Sequence, residues 1–460
     1  MYKLEVTLKQ HTPLIHFQHD QEGATLRASE VKPKLDRFIL TKLGNGDYNK
    51  GKDKAKKNGW LIGVKPEDKI EYEKHYALNY KMNFFIGKIQ EEYFIATNLI
   101  EDFVNLLEAR GIKTIPQSLY FAQEKQNNGI VGHWGVNEKN WKLIPQKGIL
   151  CKDNVEMKIF CLLSDLRKYI GENIREFFYV ENFGTRQNKG FGSFQVENIT
   201  PKEIEKEQIS IESALKNNFD FVYKYNYFIP EDNYLQESFK IIQNDYQLLK
   251  AGKNHGRYAK SKLFLYGISL KNPIRWEKRI IKREIYRLSQ SSNDEYQKFP
   301  YTLFVRGNNS NTFGKLNTDQ KWFDKKSEFD YKYLRAVLGI AEQFEFIIYD
   351  PSEKNNKSKK KYIVKLKDSS GKIERFKSPL TFKIIDKRIY LLGNELPGNL
   401  RGDFSLFISV KGDDEYSEER KIKLTEEKIS IPENFSIKDF IEFAMSDKTN
   451  GENLNYTKIL

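Results

Sequence analysis

Residues 181–196 read Glu-Asn-Phe-Gly-Thr-Arg-Gln-Asn-Lys-Gly-Phe-Gly-Ser-Phe-Gln-Val, and the rest of the chain is organised around this stretch. It carries three glycines, and the cations Arg186 and Lys189 lie between the first and the second of them. Glycine permits positive φ and lets main-chain N–H groups face a ligand without an intervening side chain. We therefore predict either a turn that an anion approaches closely or a glycine-rich turn that only closes a domain.

The residues on both sides define what this turn connects. Apolar residues recur at helical spacing from Leu162 to Phe178, and Ser164 stands near the expected start of that helix. After the glycines, Phe194 and Val196 alternate with polar residues, as in a half-buried strand. A helix-to-strand turn differs from the dinucleotide fingerprint, which follows a strand, and from the Walker loop, which needs Gly-Lys-Ser/Thr.

The same periodicities predict the remaining elements of the first half. They are a strand at 4–8, a helix at 33–43 with Pro33 in its first turn, a strand at 76–84, a helix at 98–110 and a strand at 155–161. Residues 45–59 are so rich in Gly, Lys, Asn and Asp that we expect a mobile basic loop there. The order of elements is that of a ferredoxin-like α+β fold.

A charged segment at 202–206 predicts a boundary, so we divide the chain into domains 1–204 and 205–460. The second half contains strand patterns at 382–391 and 404–410 and a final helical pattern at 436–444. Residues 354–361 are polar and lysine-rich, which is typical of a hairpin tip. We predict a second α+β domain.

Composition indicates the class of partner. Lys and Arg number 77 against 63 Asp and Glu, giving a formal charge of +14, which favours an anionic partner. Aromatic residues make up 14% and could stack on bases, although a biased gene composition would give the same total. Two cysteines without a ligand signature, no signal peptide and no long apolar run predict a cytoplasmic protein with no membrane partner.

Cations cluster in three places. They surround the glycines, they follow one another at the start of the 33–43 helix, and they recur between residues 253 and 287 with interleaved aromatics. A cationic helix start and a mixed basic and aromatic segment are both typical of phosphate and nucleic-acid contact. A solvated helix face is the competing interpretation.

Evidence for chemistry is sparse. His16 and His19 are candidate general bases for cleavage of RNA without a metal, because such cleavage needs a base beside a 2′-hydroxyl. The scattered histidines and cysteines show no ligand spacing, so we expect no metal site and no cofactor, and nothing indicates a small-molecule substrate.

Three segments resemble the RAMP superfamily of type III CRISPR ribonucleoproteins. They are Thr12-Pro13-Leu14 followed by Leu26-Arg27 and the Lys32-Pro33-Lys34-Leu35 helix start, then Gly184 to Ser193, and then Arg375-Phe376-Lys377-Ser378-Pro379-Leu380. This chain differs from the family in having His16-Phe17 where a Gly-Gly pair is usual and Pro33 where a glycine is usual. Size and two-domain organisation are most similar to the large tail subunit of Cmr-type complexes.

The resemblance implies two ferredoxin-like, RRM-like domains with long insertions. It implies a non-catalytic subunit that holds the 3′ region of the CRISPR RNA and helps to capture target RNA in antiviral defence, beside other RAMP subunits. The alternatives are a repeat-processing endoribonuclease that uses His16 or His19, and a protein scaffold without RNA contact. The candidate RNA-contacting residues are Arg27, Lys32, Lys34, Arg37, Gly184, Arg186, Lys189, Gly190, Phe191, Gly192, Lys253, His255, Arg257 and Lys260.

Overall fold

The structure is a computed structural model of the 460-residue chain. It describes all residues except 16–25, 98–112, 118–145, 205–208, 256, 279, 282–283, 285–303, 307–312, 316–329, 341–342, 350–358, 372, 374–375, 399, 401, 412–422 and 449–452. The helices are α1 (Ala28–Leu43), α2 (Tyr48–Lys57), α3 (Ser164–Val180), α4 (Ile211–Asn218), α5 (Tyr234–Lys250), α6 (Lys262–Ser269) and α7 (Ile437–Ser446).

The strands of the first half are β1 (Tyr2–Gln10), β2 (Leu14–Ile15), β3 (Tyr80–Phe85), β4 (Gln90–Thr97), β5 (Lys113–Gln117), β6 (Gln146–Cys151), β7 (Val155–Cys161) and β8 (Phe194–Thr200). Those of the second half are β9 (Phe221–Tyr225), β10 (Lys253–His255), β11 (Arg257–Ala259), β12 (Ile274–Trp276), β13 (Phe304–Arg306), β14 (Phe313–Lys315), β15 (Asp330–Lys332), β16 (Gln343–Tyr349), β17 (Lys359–Asp368), β18 (Leu380–Ile385), β19 (Arg388–Gly393), β20 (Asp403–Lys411), β21 (Lys423–Ser430) and β22 (Tyr456–Lys458).

The first half contains an antiparallel sheet in the order β3-β7-β1-β8, with α1 and α3 as its two helices. Taken along the chain, the sequence β1-α1-β3-β7-α3-β8 and this strand order are those of a ferredoxin-like unit. Leu4, Val6 and Leu8 alternate into its core, where they meet Phe177 and Phe178 of α3. The ferredoxin-like prediction is confirmed for this half.

The second half repeats the arrangement. Its central sheet is antiparallel in the order β18-β19-β9-β22, and the chain runs β9-α5-β18-β19-α7-β22. When the strands of each unit are numbered along the chain, both sheets have the order 2-3-1-4. The chain is therefore an α+β protein with two ferredoxin-like units.

Long insertions extend both units. In the first unit, the chain between β3 and β7 contributes to a sheet in the order β2-β6-β4-β5, in which β4 and β5 are parallel. In the second, the insertions contribute an antiparallel sheet in the order β16-β17-β20-β21. Tyr93 and Ile115 of the first insertion share a hydrophobic core with Phe239 of α5, so the two halves are packed together.

Two predictions about the first half are wrong. Helix α1 begins at Ala28, which places Pro33 inside the helix instead of in its first turn. Burial of Val31 and Leu35 on the same face offsets the lost hydrogen bond of the proline.

Residues 48–57, predicted as part of a mobile loop, form helix α2. Asp47 caps it by accepting hydrogen bonds from the N–H groups of Asn49 and Lys50 at 2.9 and 3.1 Å.

The other predicted elements fall into three groups. The strands at 4–8 and 155–161, the strands of the second half and the last helix are confirmed, and the strand predicted at 76–84 lies at Tyr80–Phe85. The charged segment after Pro201 begins with a short 3₁₀ helix, Lys202–Ile204. The helix predicted at 98–110 and most of the hairpin tip at 354–361 lie outside the described residues.

Candidate nucleic-acid interface

The glycine loop, residues 184–193, has the backbone that its composition predicts. Gly184, Gly190 and Gly192 all have positive φ, at 80°, 88° and 67°. A Cβ atom added to Gly192 would lie 1.9 Å from the carbonyl oxygen of Phe183, so no other residue fits there without a shift of the backbone. The glycines are needed for close packing as well as for backbone freedom.

The loop is bonded to the strand end that carries Thr12 and Pro13. The Thr12 hydroxyl donates to the carbonyl of Gly190 at 2.7 Å and accepts from the N–H of Ser193 at 2.9 Å. The N–H of Gly192 donates to the carbonyl of Pro13 at 3.0 Å, and the N–H of Thr185 donates to Ile15 at 2.8 Å. The first two segments of the RAMP resemblance are thus one interlocked structure.

These bonds change one expectation. The N–H groups of Gly184 and Gly192 were expected to face a ligand, but the first donates to the Glu30 carboxylate at 2.5 Å and the second to Pro13. Both donors stabilise the protein itself. The glycines therefore shape the site, and its positive charge comes from side chains.

The other side of the loop pairs with the second unit. The N–H of Phe382, on the edge strand β18, donates to the carbonyl of Asn188 at 3.0 Å, and the Asn182 side chain donates to the carbonyl of Phe382, also at 3.0 Å. The buried Lys383 ammonium donates to the carbonyl of Glu181 at 2.7 Å and to the Asn182 side chain at 2.9 Å. The loop therefore extends the sheet of the second unit and links the two halves.

Two candidate residues of the loop face this junction. The Phe191 ring is fully buried and stacks on Phe239 of α5, with 4.1 Å between ring centroids. The Lys189 ammonium lies over the Tyr246 ring of the same helix, and its residue is 9% exposed. Burial, with Lys250 nearby, lowers the pKa of Lys189 well below its ordinary value.

Arg186 and Lys34 keep contact with solvent. Arg186 is partly exposed and has φ of 55°, a left-handed conformation that is uncommon for a residue other than glycine. The Lys34 ammonium donates to the carbonyl of Asn182 at 2.6 Å and to the Gln187 side chain at 2.5 Å. Lys34 therefore holds the loop from α1, with part of its side chain still at the surface.

Lys377 is a cation beside the glycine loop that is absent from the candidate residues predicted from the sequence. It is exposed, and Ser378 next to it accepts a hydrogen bond from Asn188 of the loop at 3.4 Å. Burial is the main cause that lowers the pKa of Lys34, and the charge of Lys377 adds to it while Glu181 and Glu30 oppose it. The signal in the sequence was the Arg-Phe-Lys-Ser-Pro-Leu segment, which contains Lys377.

The remaining candidates near α1 are divided between its faces. The Lys32 ammonium donates to Asp36 at 2.8 Å and to the carbonyl of Leu78 at 2.9 Å, so it braces α1 against the chain before β3. Arg37 is exposed, with its guanidinium 5.7 Å from the Tyr48 ring centroid. Arg27 is partly exposed at the start of α1.

The cluster that begins at Lys253 lies in the second unit. His255 and Arg257 belong to the two short paired strands β10 and β11, and Lys253 is 9% exposed. Lys260 is exposed, with its ammonium 5.5 Å from the Phe264 ring centroid. The structure thus places these residues on a hairpin and at the start of the following helix.

His11 is a buried histidine that lies between the two units. Its Nε2 lies 2.9 Å from the Gln195 side chain and 3.9 Å from the Asp386 carboxylate of the second unit. Burial lowers the pKa of His11 to about 4, although Asp386 opposes the shift. His16 and His19 lie outside the described residues.

Two kinds of feature are absent from the described residues. No helix there is long and apolar enough to cross a membrane. No group of three or more His, Cys, Asp or Glu side chains in that part of the chain could hold a metal ion.

Two ferredoxin-like units joined through a glycine-rich loop are the arrangement that the resemblance to the RAMP superfamily implies. A family model described as the Cmr1 N-terminal domain matches residues 1–253, and one described as the Cmr1 C-terminal domain matches residues 258–459. The chain therefore belongs to the Cmr1 family, and this membership identifies it as a Cmr-type subunit of a type III CRISPR complex.

Comparison with solved structures finds the crystal structure of Cmr1 from Pyrococcus furiosus in its apo form. The identity is 12%, the match covers 54% of this chain and 72% of that chain, and the TM-score is 0.31. Comparison with curated proteins gives no significant match.

Proposed function

We propose that this chain is a non-catalytic RNA-binding subunit of a type III CRISPR ribonucleoprotein. It holds the 3′ region of the CRISPR RNA and helps to capture target RNA in antiviral defence, in the cytoplasm and beside other RAMP subunits. Family membership supports the type of complex, and the geometry around Arg186 supports the contact with RNA.

The conformation of Arg186 is the observation that carries the proposal. A non-glycine residue in the left-handed region costs on the order of 1–3 kcal/mol, and such residues cluster at functional sites as well as in tight turns. Arg186 lies two residues after Gly184 in a loop that already uses glycine for this conformation, at φ of 55° and partly exposed. An arginine at this position supplies a planar, permanently charged group that suits the two oxygens of a phosphate.

The neighbours of Arg186 fix its position. Gln187 accepts the hydrogen bond of Lys34, and Asn188 bonds to both Phe382 and Ser378. The backbone that carries the Arg186 guanidinium is therefore hydrogen-bonded to both ferredoxin-like units. Preorganised groups bind more tightly because less conformational freedom is lost on binding.

The structure suggests a division of roles among the candidate residues. We propose that Arg27, Lys34, Arg37, Arg186, Lys260 and Lys377 contact phosphates, with His255 and Arg257 of the hairpin as further candidates. Gly184, Lys189, Gly190, Phe191 and Gly192 give the loop its shape and attach it to the second unit. Lys32 and Lys253 have mainly internal roles in this proposal, because the first is bonded to Asp36 and the second is buried.

Replacing Arg186 by glycine tests the proposal. Glycine accepts φ of 55° without strain, so the loop of the Arg186→Gly variant should keep its backbone conformation. Its affinity for single-stranded RNA should fall about tenfold at low salt, the loss expected from about 1–2 kcal/mol of phosphate contact. Lys168→Ala, which removes an exposed cation from α3, is the control and should bind like the parent. Unchanged RNA affinity in a folded Arg186→Gly protein would reject this assignment.

The repeat-cleaving alternative remains a separate prediction. Replacing His16 and His19 by alanine would abolish cleavage of a repeat RNA if either residue were the general base. Absence of cleavage by the parent protein would already reject that alternative.

A further inference from the structure

Helix α2 divides its lysines between two faces. Lys52 and Lys56 face the following loop. Lys52 donates to the carbonyls of Tyr72 and Lys74 at 2.6 and 2.9 Å, and Lys56 donates to the backbone carbonyl of Asp68 at 2.8 Å. Lys50, Lys54 and Lys57 lie on a different face and are exposed. We call the second set the lysine face.

The spacing of the lysine face gives it a direction. Positions 50, 54 and 57 follow the i, i+4, i+7 pattern, so the three side chains share one side of the helix over about 10 Å of its axis. Lys50 lies 3.8 Å from the capping Asp47, and Lys54 donates to the carbonyl of Leu43 at 2.9 Å. Asp53, three residues after Lys50 and four before Lys57, borders this face and accepts a hydrogen bond from the Tyr72 hydroxyl. The lysine face is therefore a row of three cations with one acidic neighbour that is already bonded to Tyr72.

The helix that carries this row is held firmly. Gly51 packs so closely on α1 that an added Cβ would lie 1.8 Å from the carbonyl oxygen of Leu40. Tyr48, in the first turn of α2, lies under the guanidinium of Arg37. Arg37 is one turn from Lys34 on α1, and Lys34 contacts the glycine loop. Positive groups thus follow α1 from the glycine loop to α2.

We propose that the lysine face binds the phosphate backbone of the same RNA that the glycine loop holds, at a point further along the strand. This inference rests on the proposed function and adds a second contact to it. A row of cations complements an extended polyanion, and a polyanion binds such a row by releasing counterions. A protein partner would need apolar anchors, and the lysine face consists of lysines alone.

The test is a triple substitution, Lys50→Gln, Lys54→Gln and Lys57→Gln, in the full-length chain. Glutamine keeps the helix propensity of lysine and removes its charge. Binding of a fluorescein-labelled single-stranded oligouridine is measured at several salt concentrations. The matched control replaces Lys216, Lys240 and Lys438, three exposed lysines on helices of the second half of the chain, by glutamine. Circular dichroism and thermal melting establish that both proteins are folded.

We expect the α2 variant to bind RNA more weakly. Its slope of log affinity against log salt should be less steep by about two, since each phosphate contact of a single strand contributes about 0.7 to the steepness. The control should keep the parent slope. An equal loss in the control would overturn the proposal, because the effect would then come from net charge alone. An unchanged α2 variant would overturn it too, and Arg186→Gly would show separately whether the glycine loop still binds RNA.

Discussion

The ring of Phe191 in the glycine loop stacks on the ring of Phe239 in α5, with 4.1 Å between centroids and 24° between ring planes. The first residue belongs to the first ferredoxin-like unit and the second to the other, so the contact joins the two halves. Lys189 and Tyr246 make a second contact between the loop and the same helix. A loop that can be interpreted from sequence as a ligand site is therefore also the junction between the units.

A double-mutant cycle on Phe191 and Phe239 measures this junction. Each change to leucine should destabilise the protein, and the pair should show a coupling free energy of about 1 kcal/mol, because stacked rings contribute that much beyond buried area. Urea denaturation of the four proteins gives the value. Phe440, which packs against Tyr266 and Phe435, serves as a control partner for Phe191. Equal coupling to Phe440 would contradict a specific contact between the loop and α5.

Gly192→Ala should destabilise the protein by at least about 2 kcal/mol more than Gly59→Ala, because packing adds a cost that backbone conformation alone does not. The two glycines have nearly the same φ, 67° and 69°, but an added Cβ at Gly59 meets nothing within 4 Å. Thermal or urea denaturation measures the difference. Similar losses at both positions would show that the close approach to Phe183 is readily relieved.

Stability should rise with pH above neutrality because of buried lysines. Burial lowers the pKa of Lys383 to about 7 and that of Lys250 to about 7, whereas both have ordinary values of 10.5 when unfolded. Between these values the unfolded chain binds more protons than the folded chain, so the free energy of unfolding increases with pH, by up to about 1.4 kcal/mol per pH unit for each lysine.

Lys383→Met should remove its share of this slope, whatever it does to absolute stability. Urea midpoints between about pH 7 and pH 8.5 provide the measurement, in a range where the buried thiols of Cys151 and Cys161 affect parent and variant equally. Lys216→Met, at an exposed position of α4, is the control. Identical slopes for the parent and the Lys383 variant would show that Lys383 stays charged in the folded protein.

The alternation of apolar residues was sufficient to predict the four central strands of the first unit, β1, β3, β7 and β8, and the strands β18 and β19 of the second, whereas β9 and β22 were not predicted. In β1, for example, Leu4, Val6 and Leu8 all point inward, and their period of two can be read directly from the sequence. Together with the helical stripe of α3, such strands gave the ferredoxin-like order. The interlocking of Thr12 with Gly190 and Ser193 gave no local signal, because its partners are separated by about 180 residues of sequence.

Helix α2 was missed for a physical reason. Its buried side contains Gly51, Lys52 and Ala55, which a hydrophobicity pattern does not recognise as a core-facing stripe. The alkyl part of a lysine covers apolar surface while its ammonium reaches a carbonyl, as Lys52 does. The burial of Lys189 could not be predicted from the sequence either, because it depends on contact with Tyr246 in a helix of the other unit.

Replacing Lys377, a cation beside the glycine loop, by a neutral residue should weaken the binding of RNA to the protein. Lys377 is exposed on the second unit, close enough to Lys34 to affect its pKa, and its neighbour Ser378 bonds to Asn188. A phosphate bound by Arg186 would therefore lie near a cation from each unit. Lys377→Gln should make the slope of log affinity for single-stranded RNA against log salt less steep by about 0.7. The double variant with Arg186→Gly should make it less steep by about 1.4. Fluorescence anisotropy titrations at several salt concentrations give these slopes, with Lys168→Gln as the control for charge. A double variant with the parent slope would place the RNA elsewhere on the protein, whereas a loss confined to Arg186→Gly would limit the site to the first unit.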